Sequence, residues 1–330
     1  MESSVSRILR RHYSRIGLAC FVFLAASFIA QLAAVLAVRL LAPQLLQAGW
    51  FATGLSFLAM YLVGFPLYIL LLPRAPEQLP ERQKLGGVGE FLICLLMCIG
   101  ILYPLNYLGQ WVTRLLADIL GGSGASMLDA YLGSMDLWSV ALFAVILAPI
   151  MEELAFRKLL LDRMRTIDRP GAILFSALAF GVFHGNPGQF FYAFGVGILF
   201  GCIYTRTGRV IYTILLHILV NAIGSLVPLL LMQDIPDLEG LLGQGAENVP
   251  ALLENLPALF GLGAFGLLIL CGTVAGIILL IRRFPRLLER GPGDRLGEPW
   301  LAFRTQFLTG GFIAFLLAAV LETVASLLLT

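Results

Sequence analysis

Nine apolar stretches, separated by short polar interruptions, run from one end of the chain to the other. They cover roughly Ile16 to Leu41, Trp50 to Leu72, Val88 to Leu108, Leu137 to Leu161, Pro170 to His184, Gln189 to Tyr204, Val210 to Met232, Ala258 to Ile281 and Thr305 to Leu329. Most hold about 20 residues or more, enough for a helix rising 1.5 Å per residue to cross the hydrocarbon core of a bilayer. The pattern predicts an all-α, polytopic transmembrane helix bundle of about 8–9 spans. Arg7, Arg10, Arg11 and Arg15 precede the first stretch as they would in a signal peptide. That stretch is about twice the length of a signal-peptide apolar region and reads as an uncleaved anchor.

Composition supports this reading. Of 330 residues, 59% are hydrophobic and 13% charged, and the mean hydropathy is +0.91. A soluble domain, at about 25% charged, has far more polar surface with which to cover its core. The net charge of +2 conceals strong segregation. With the N-terminus in the cytoplasm and nine alternating spans, 20 of the 22 Lys and Arg fall on the cytoplasmic side, with only Arg39 and Arg114 outside it. The positive-inside rule therefore sets the N-terminus in and the C-terminus out. The stretch from Gln233 to Pro257 carries Asp234, Asp237, Glu239, Glu247 and Glu254 without one Lys or Arg, as suits an external loop. The expected location is multi-pass in a bacterial plasma membrane. The cytoplasmic arginines serve as topology signals and contacts to anionic membrane lipids, and nothing in the sequence suggests a nucleic-acid partner. Cys20, Cys94, Cys98, Cys202 and Cys271 all lie within apolar stretches, as small hydrophobes and not as a disulfide framework.

Ionisable groups inside a span are costly, so those that topology leaves unexplained carry the information. They are Glu152, Glu153 and Arg157 in the fourth stretch, His184 closing the fifth, His217 with Asn221 in the seventh, and Glu322 in the ninth. Glu322 lies about 25 Å into its stretch, which places it near the outer interface as a snorkelling side chain. His12 among arginines and Arg39 at a span end read in the same way. The others share a depth. Measured from the cytoplasmic helix ends, Glu152 lies at about 16 Å, His184 at about 21 Å, and His217 and Asn221 at about 10 and 16 Å. Three helices thus bring polar side chains to one level, as an enclosed site requires.

Helical spacing separates their roles. Glu153 and Arg157 stand i, i+4 with the acid first, the favourable order for an ion pair, and are expected to be structural. Glu152 points about 100° away and meets Phe156 at i+4, which leaves its carboxylate free for chemistry. His217 and Asn221 project from one helix face, and Phe180 lies one turn before His184, able to pack beside the site.

These residues form Glu152-Glu153-Leu-Ala-Phe-Arg157, Phe180-Gly-Val-Phe-His184 and His217-Ile-Leu-Val-Asn221, in order on the fourth, fifth and seventh predicted helices. In this the sequence resembles the CPBP (ABI) family of intramembrane proteases, which includes the type II CAAX prenyl endopeptidases and relatives linked to bacteriocin processing and immunity. The resemblance runs from about Val140 to Val227; Lys158 departs from the Gly that many relatives carry after the motif arginine. It implies an integral-membrane endopeptidase acting on a peptide or (lipo)protein substrate at the membrane. Glu152 and His184 would activate water, and His217 and Asn221 would stabilise the oxyanion. The resemblance says nothing about the outer helices; with the apolar pattern, the chain is expected to comprise N-terminal transmembrane helices with an external amphipathic loop (1–136), a catalytic CPBP-like helical core (137–232), and an external acidic loop with C-terminal transmembrane helices (233–330). Glu152, His184 and His217 also make a conceivable Zn²⁺ set, since two His and one Glu with a water occur in catalytic zinc sites. Because the chain has no His-Glu-x-x-His helix, the expectation leans to a metal-free mechanism. Two other readings compete. One is a non-catalytic immunity-like factor or scaffold that keeps the polar cluster for packing. The other is a proton-coupled transporter, disfavoured because the two halves show no paired broken helices.

Overall fold

The computed structural model describes residues 4–76, 84–120, 136–233, 235, 253–287 and 299–329. Every regular element among them is helical. We number the helices α1 (Ser4–Leu41), α2 (Gly49–Leu71), α3 (Val88–Leu120), α4 (Leu137–Leu161), α5 (Arg169–Val182), α6 (Pro187–Thr207), α7 (Val210–Met232), α8 (Leu256–Leu287), α9 (Pro299–Phe307) and α10 (Gly310–Leu329). Seven of them, α1 to α4 and α6 to α8, are long and apolar enough to cross a membrane, while α5 and α10 are shorter apolar helices. The chain is a multi-pass integral membrane protein.

Two boundaries differ from expectation in ways that matter. Helix α3 continues past Leu108 to Leu120, so the first part of the expected external loop is helix; residues 121–135 lie outside the described residues. The ninth apolar stretch is two helices, interrupted at Leu308 and Thr309 just before the Gly310-Gly311 pair. Of the expected acidic loop, residues 234 and 236–252 lie outside the described residues.

Without water to drive helices together, close approach and interhelical hydrogen bonds do so, and glycine permits both. Helix α10 lies against α1 where Gly311 faces Ser14 and Gly17 faces Phe312; a Cβ on either glycine would run into the opposing backbone. Ser14 Oγ accepts from the Gly311 N–H at 3.1 Å. Gly100 of α3 and Gly276 of α8 meet in the same backbone-to-backbone manner. Replacing Gly311 by Val should therefore force α1 and α10 apart and cost about 1–3 kcal/mol or more, as overpacking does. Thermal unfolding in detergent would register this as a lowered midpoint.

The arginine-rich helix ends gather at one end of the bundle. His12 Nε2 is 2.9 Å from the Arg163 carbonyl, Gln306 donates to Asp168 at 2.6 Å, Arg169 donates to the Leu287 carbonyl at 3.0 Å, and Arg283 pairs with Glu90 at 3.0 Å. Segments that the charge pattern assigns to a common side are thus in mutual contact.

Helix α5, of 14 residues, spans about 21 Å and stops short of a full crossing. A turn at Phe183 to Asn186 then sends α6 back along it. Backbone that breaks helical pairing at such depth must find partners. Gly185 adopts φ +65, its N–H donates to Val182, and Asn186 caps α6 by accepting from the Gln189 N–H at 2.8 Å while donating to the His184 carbonyl at 3.0 Å. This turn presents His184.

Candidate active site

The two acids occupy a short α-helical stretch, Ala148–Glu153, between two segments of α4 with i→i+5 hydrogen bonding, Val140–Leu147 and Leu154–Leu161. Of two further such segments among the described residues, Ala59–Gly64 lies within α2 and Ala222–Leu226 follows Asn221 directly. Wide turns of this kind recur at functional sites. Pro149 explains part of the first. Lacking an N–H, it leaves a carbonyl one turn earlier without its intrahelical donor. In the wide register, where Ala148 donates to Phe143, that carbonyl belongs to Ala144. Asn221 Nδ2 donates to it at 2.9 Å, tying α7 to α4. An amide nitrogen has two hydrogens, so one remains for another acceptor.

Glu153 and Arg157 are fully buried and in ion contact, Oε2 to Nε at 3.2 Å. The guanidinium also donates to Ser176 Oγ at 3.0 Å, and Ser176 in turn donates to the Phe156 carbonyl at 2.8 Å. Its plane approaches the Phe180 ring at 4.8 Å and the Phe200 ring at 5.9 Å. Burying this charge is costly, and the carboxylate, hydroxyl and aromatic faces together offset the cost. Ser176 and Phe200 escape sequence reading because each contributes to the arginine pocket from its own helix, α5 or α6.

His217 stands between the acids. Its Nδ1 lies 3.2 Å from Glu153 Oε1 and its Nε2 lies 3.7 Å from Glu152 Oε2. Glu153, held ionised by Arg157, can only accept, so Nδ1 carries the proton and a neutral ring turns the Nε2 lone pair toward Glu152. Glu152 differs from Glu153 in exposure, with 18% of its side chain accessible against none. His184 is fixed in the same tautomer. Its Nδ1 donates to the Phe180 carbonyl at 2.8 Å, which leaves Nε2 as an acceptor. The Phe180 ring stands edge-on to both imidazoles, 4.8 Å from His184 and 5.7 Å from His217, and 5.4 Å from the ring of Phe156. Glu152, Glu153, Arg157, Phe180, His184 and His217 thus fall into one connected network with Phe180 at its hub, while Asn221, one turn after His217, bonds to the Ala144 carbonyl.

The conceivable zinc set is arranged differently. Both Nε2 atoms are free acceptors, as metal-ligating histidines require. Among the described residues, however, no three or more His, Cys, Asp or Glu side chains are grouped so as to hold a metal ion. The reaction is accordingly developed below from the protein's own groups. All five cysteines are free thiols, four of them buried.

A buried ion pair, a second and partly exposed carboxylate, and two oriented imidazoles thus lie together inside a membrane bundle. Residues 134–223 match the family described as type II CAAX prenyl endopeptidase Rce1-like. The match covers the part of the chain that holds all three motifs, and supports their resemblance to the CPBP family of CAAX-type membrane proteases. No curated protein and no solved structure matches the chain.

Proposed function

We propose that this protein is an intramembrane endopeptidase that cleaves a peptide bond in a membrane-associated or lipidated substrate, with Glu152 and His184 activating water. The observation that carries this reading is the contrast between neighbouring acids: Glu153 is sealed in an ion pair, while Glu152 is partly exposed and faces an imidazole nitrogen at 3.7 Å. A packing cluster has no need of the second acid.

In this reading a water between Glu152 and His184 Nε2 gives up a proton as it attacks the scissile carbonyl. His217 plays a modified part. Its neutral Nε2 accepts and cannot donate, so it serves the oxyanion only after taking up a proton, and Glu152 lies near enough to relay one through a water. The imidazolium then donates to the tetrahedral oxyanion, assisted by the second Asn221 hydrogen. Collapse passes a proton to the leaving amine, returning the site to its starting state.

Two experiments test the proposal. In the first, purified protein in lipid nanodiscs is given matched C-terminal peptides with and without a prenyl group, and products are read by mass spectrometry. In the second, membranes containing wild type or Glu152→Ala are compared for new protein C-termini. Cleavage by wild type alone supports the proposal, and none by either points to a non-catalytic membrane factor. The metal-free route makes a further prediction. Activity should survive exhaustive phenanthroline treatment, with no stoichiometric zinc by elemental analysis; coupled loss of zinc and activity would overturn it.

A further inference from the structure

Glu322 lies where an interfacial snorkelling residue does not. Because α10 starts at Gly310, the acid sits about 18 Å along its helix, and its carboxyl rests on the turn that follows His184. A Cβ built on Gly185 would stand 3.2 Å from Glu322 Cδ, 3.4 Å from Oε1 and 3.5 Å from Cγ. Glu322 Oε2 is buried without a hydrogen-bond partner. A side chain kept only to fill space would be apolar, since burying an unmatched polar oxygen costs free energy. The contact falls on a residue whose φ of +65 makes it the conformational pivot between α5 and α6. Any displacement there rotates His184, whose imidazole is set by the single hydrogen bond to the Phe180 carbonyl.

We infer that Glu322 is a positioning residue for His184: its carboxyl buttresses the Gly185 turn, so the C-terminal helix, outside the matched segment 134–223, helps to set the water-activating imidazole. Two features make α10 a firm support. It is pinned to α1 through Gly311 and Ser14, and its side chain at 322 matches the one residue in the turn with no Cβ to hold it off. The inference rests on the assignment of His184 to the site, so its test includes a readout that does not depend on cleavage.

The chain has three histidines, so protein labelled with ¹⁵N at histidine gives three assignable rings. In Glu322→Ala the His184 Nδ1 signal should move or split as its bond to Phe180 loosens, while His12, on α1 beside the Arg163 carbonyl, stays put. Glu322→Gln, which fills the same volume, should leave all three unchanged. Where cleavage is measurable, Glu322→Ala should lower kcat about tenfold to a hundredfold with KM nearly constant, and Gln should restore it. If the alanine variant fails to fold, Glu322→Asp, which withdraws the carboxyl by one methylene, replaces it and should shift His184 in the same direction. An unmoved His184 signal in a folded Ala or Asp variant overturns the inference. Absence of cleavage by the wild type, with the signal still shifted, would instead count against the protease reading alone.

Discussion

Glu152→Gln is expected to remove about 10²–10⁴-fold of cleavage rate while leaving expression and thermal stability in detergent nearly unchanged. The carboxylate lies 3.7 Å from His217 Nε2 and, among the described residues, forms no salt bridge with a Lys or Arg. An amide fills the same volume and can donate to that nitrogen, so the fold loses little. The reaction loses its proton acceptor, and the amide N–H would also occupy the His217 lone pair. The measurement is a paired one: turnover of a lipidated peptide in nanodiscs, and the unfolding midpoint of the same preparation. A variant that retained turnover would remove Glu152 from the water-activating role; one that lost turnover and stability together would mark the acid as structural.

Much of the site was legible because helical geometry propagates along a membrane span with few exceptions. The i, i+4 spacing of Glu153 and Arg157, the angular separation of Glu152, and the stacking of Phe180 beneath His184 each followed from 3.6 residues per turn. A multi-span helical bundle was legible from apolar length, although of the nine apolar stretches only seven correspond, among the described residues, to helices long and apolar enough to cross a membrane. Illegible features arose where the chain departs from that regularity. The bond from Asn221 to the Ala144 carbonyl depends on the i→i+5 register ahead of Pro149, which sequence spacing does not reveal. It alters the meaning of Asn221, because a residue expected to face only the oxyanion also closes a backbone gap. The position of Glu322 was missed for a similar reason. Depth was counted along one continuous helix from Thr305, whereas the break at Leu308 and Thr309 brings the acid down to the His184 turn. The tautomer of His217 was equally out of reach, since it is imposed by Glu153 from another helix, 64 positions away.

Glu153→Gln is expected to have the larger effect on the fold. Its carboxylate has two tasks, meeting Arg157 Nε at 3.2 Å through one oxygen and His217 Nδ1 at 3.2 Å through the other. An amide keeps one acceptor and turns two hydrogens toward donors that cannot receive them. Arg157, fully buried, would then face Ser176 and the rings of Phe180 and Phe200 without its contacting carboxylate, leaving Glu152 as the nearby acid. Breaking a buried pair in this way costs about 3–5 kcal/mol, a large part of the stability of most folds. The double variant Glu153→Gln with Arg157→Met should regain most of that loss, because removing both charges also removes the desolvation penalty. It should not regain full activity, since a neutral amide can either accept from or donate to His217 Nδ1 and so no longer fixes the proton there as the carboxylate does. Stability restored with turnover still depressed is thus the expected result, read from unfolding midpoints and peptide cleavage on the single and double variants. Recovery of both would reduce Glu153 to a counter-ion for Arg157 and free His217 from its control.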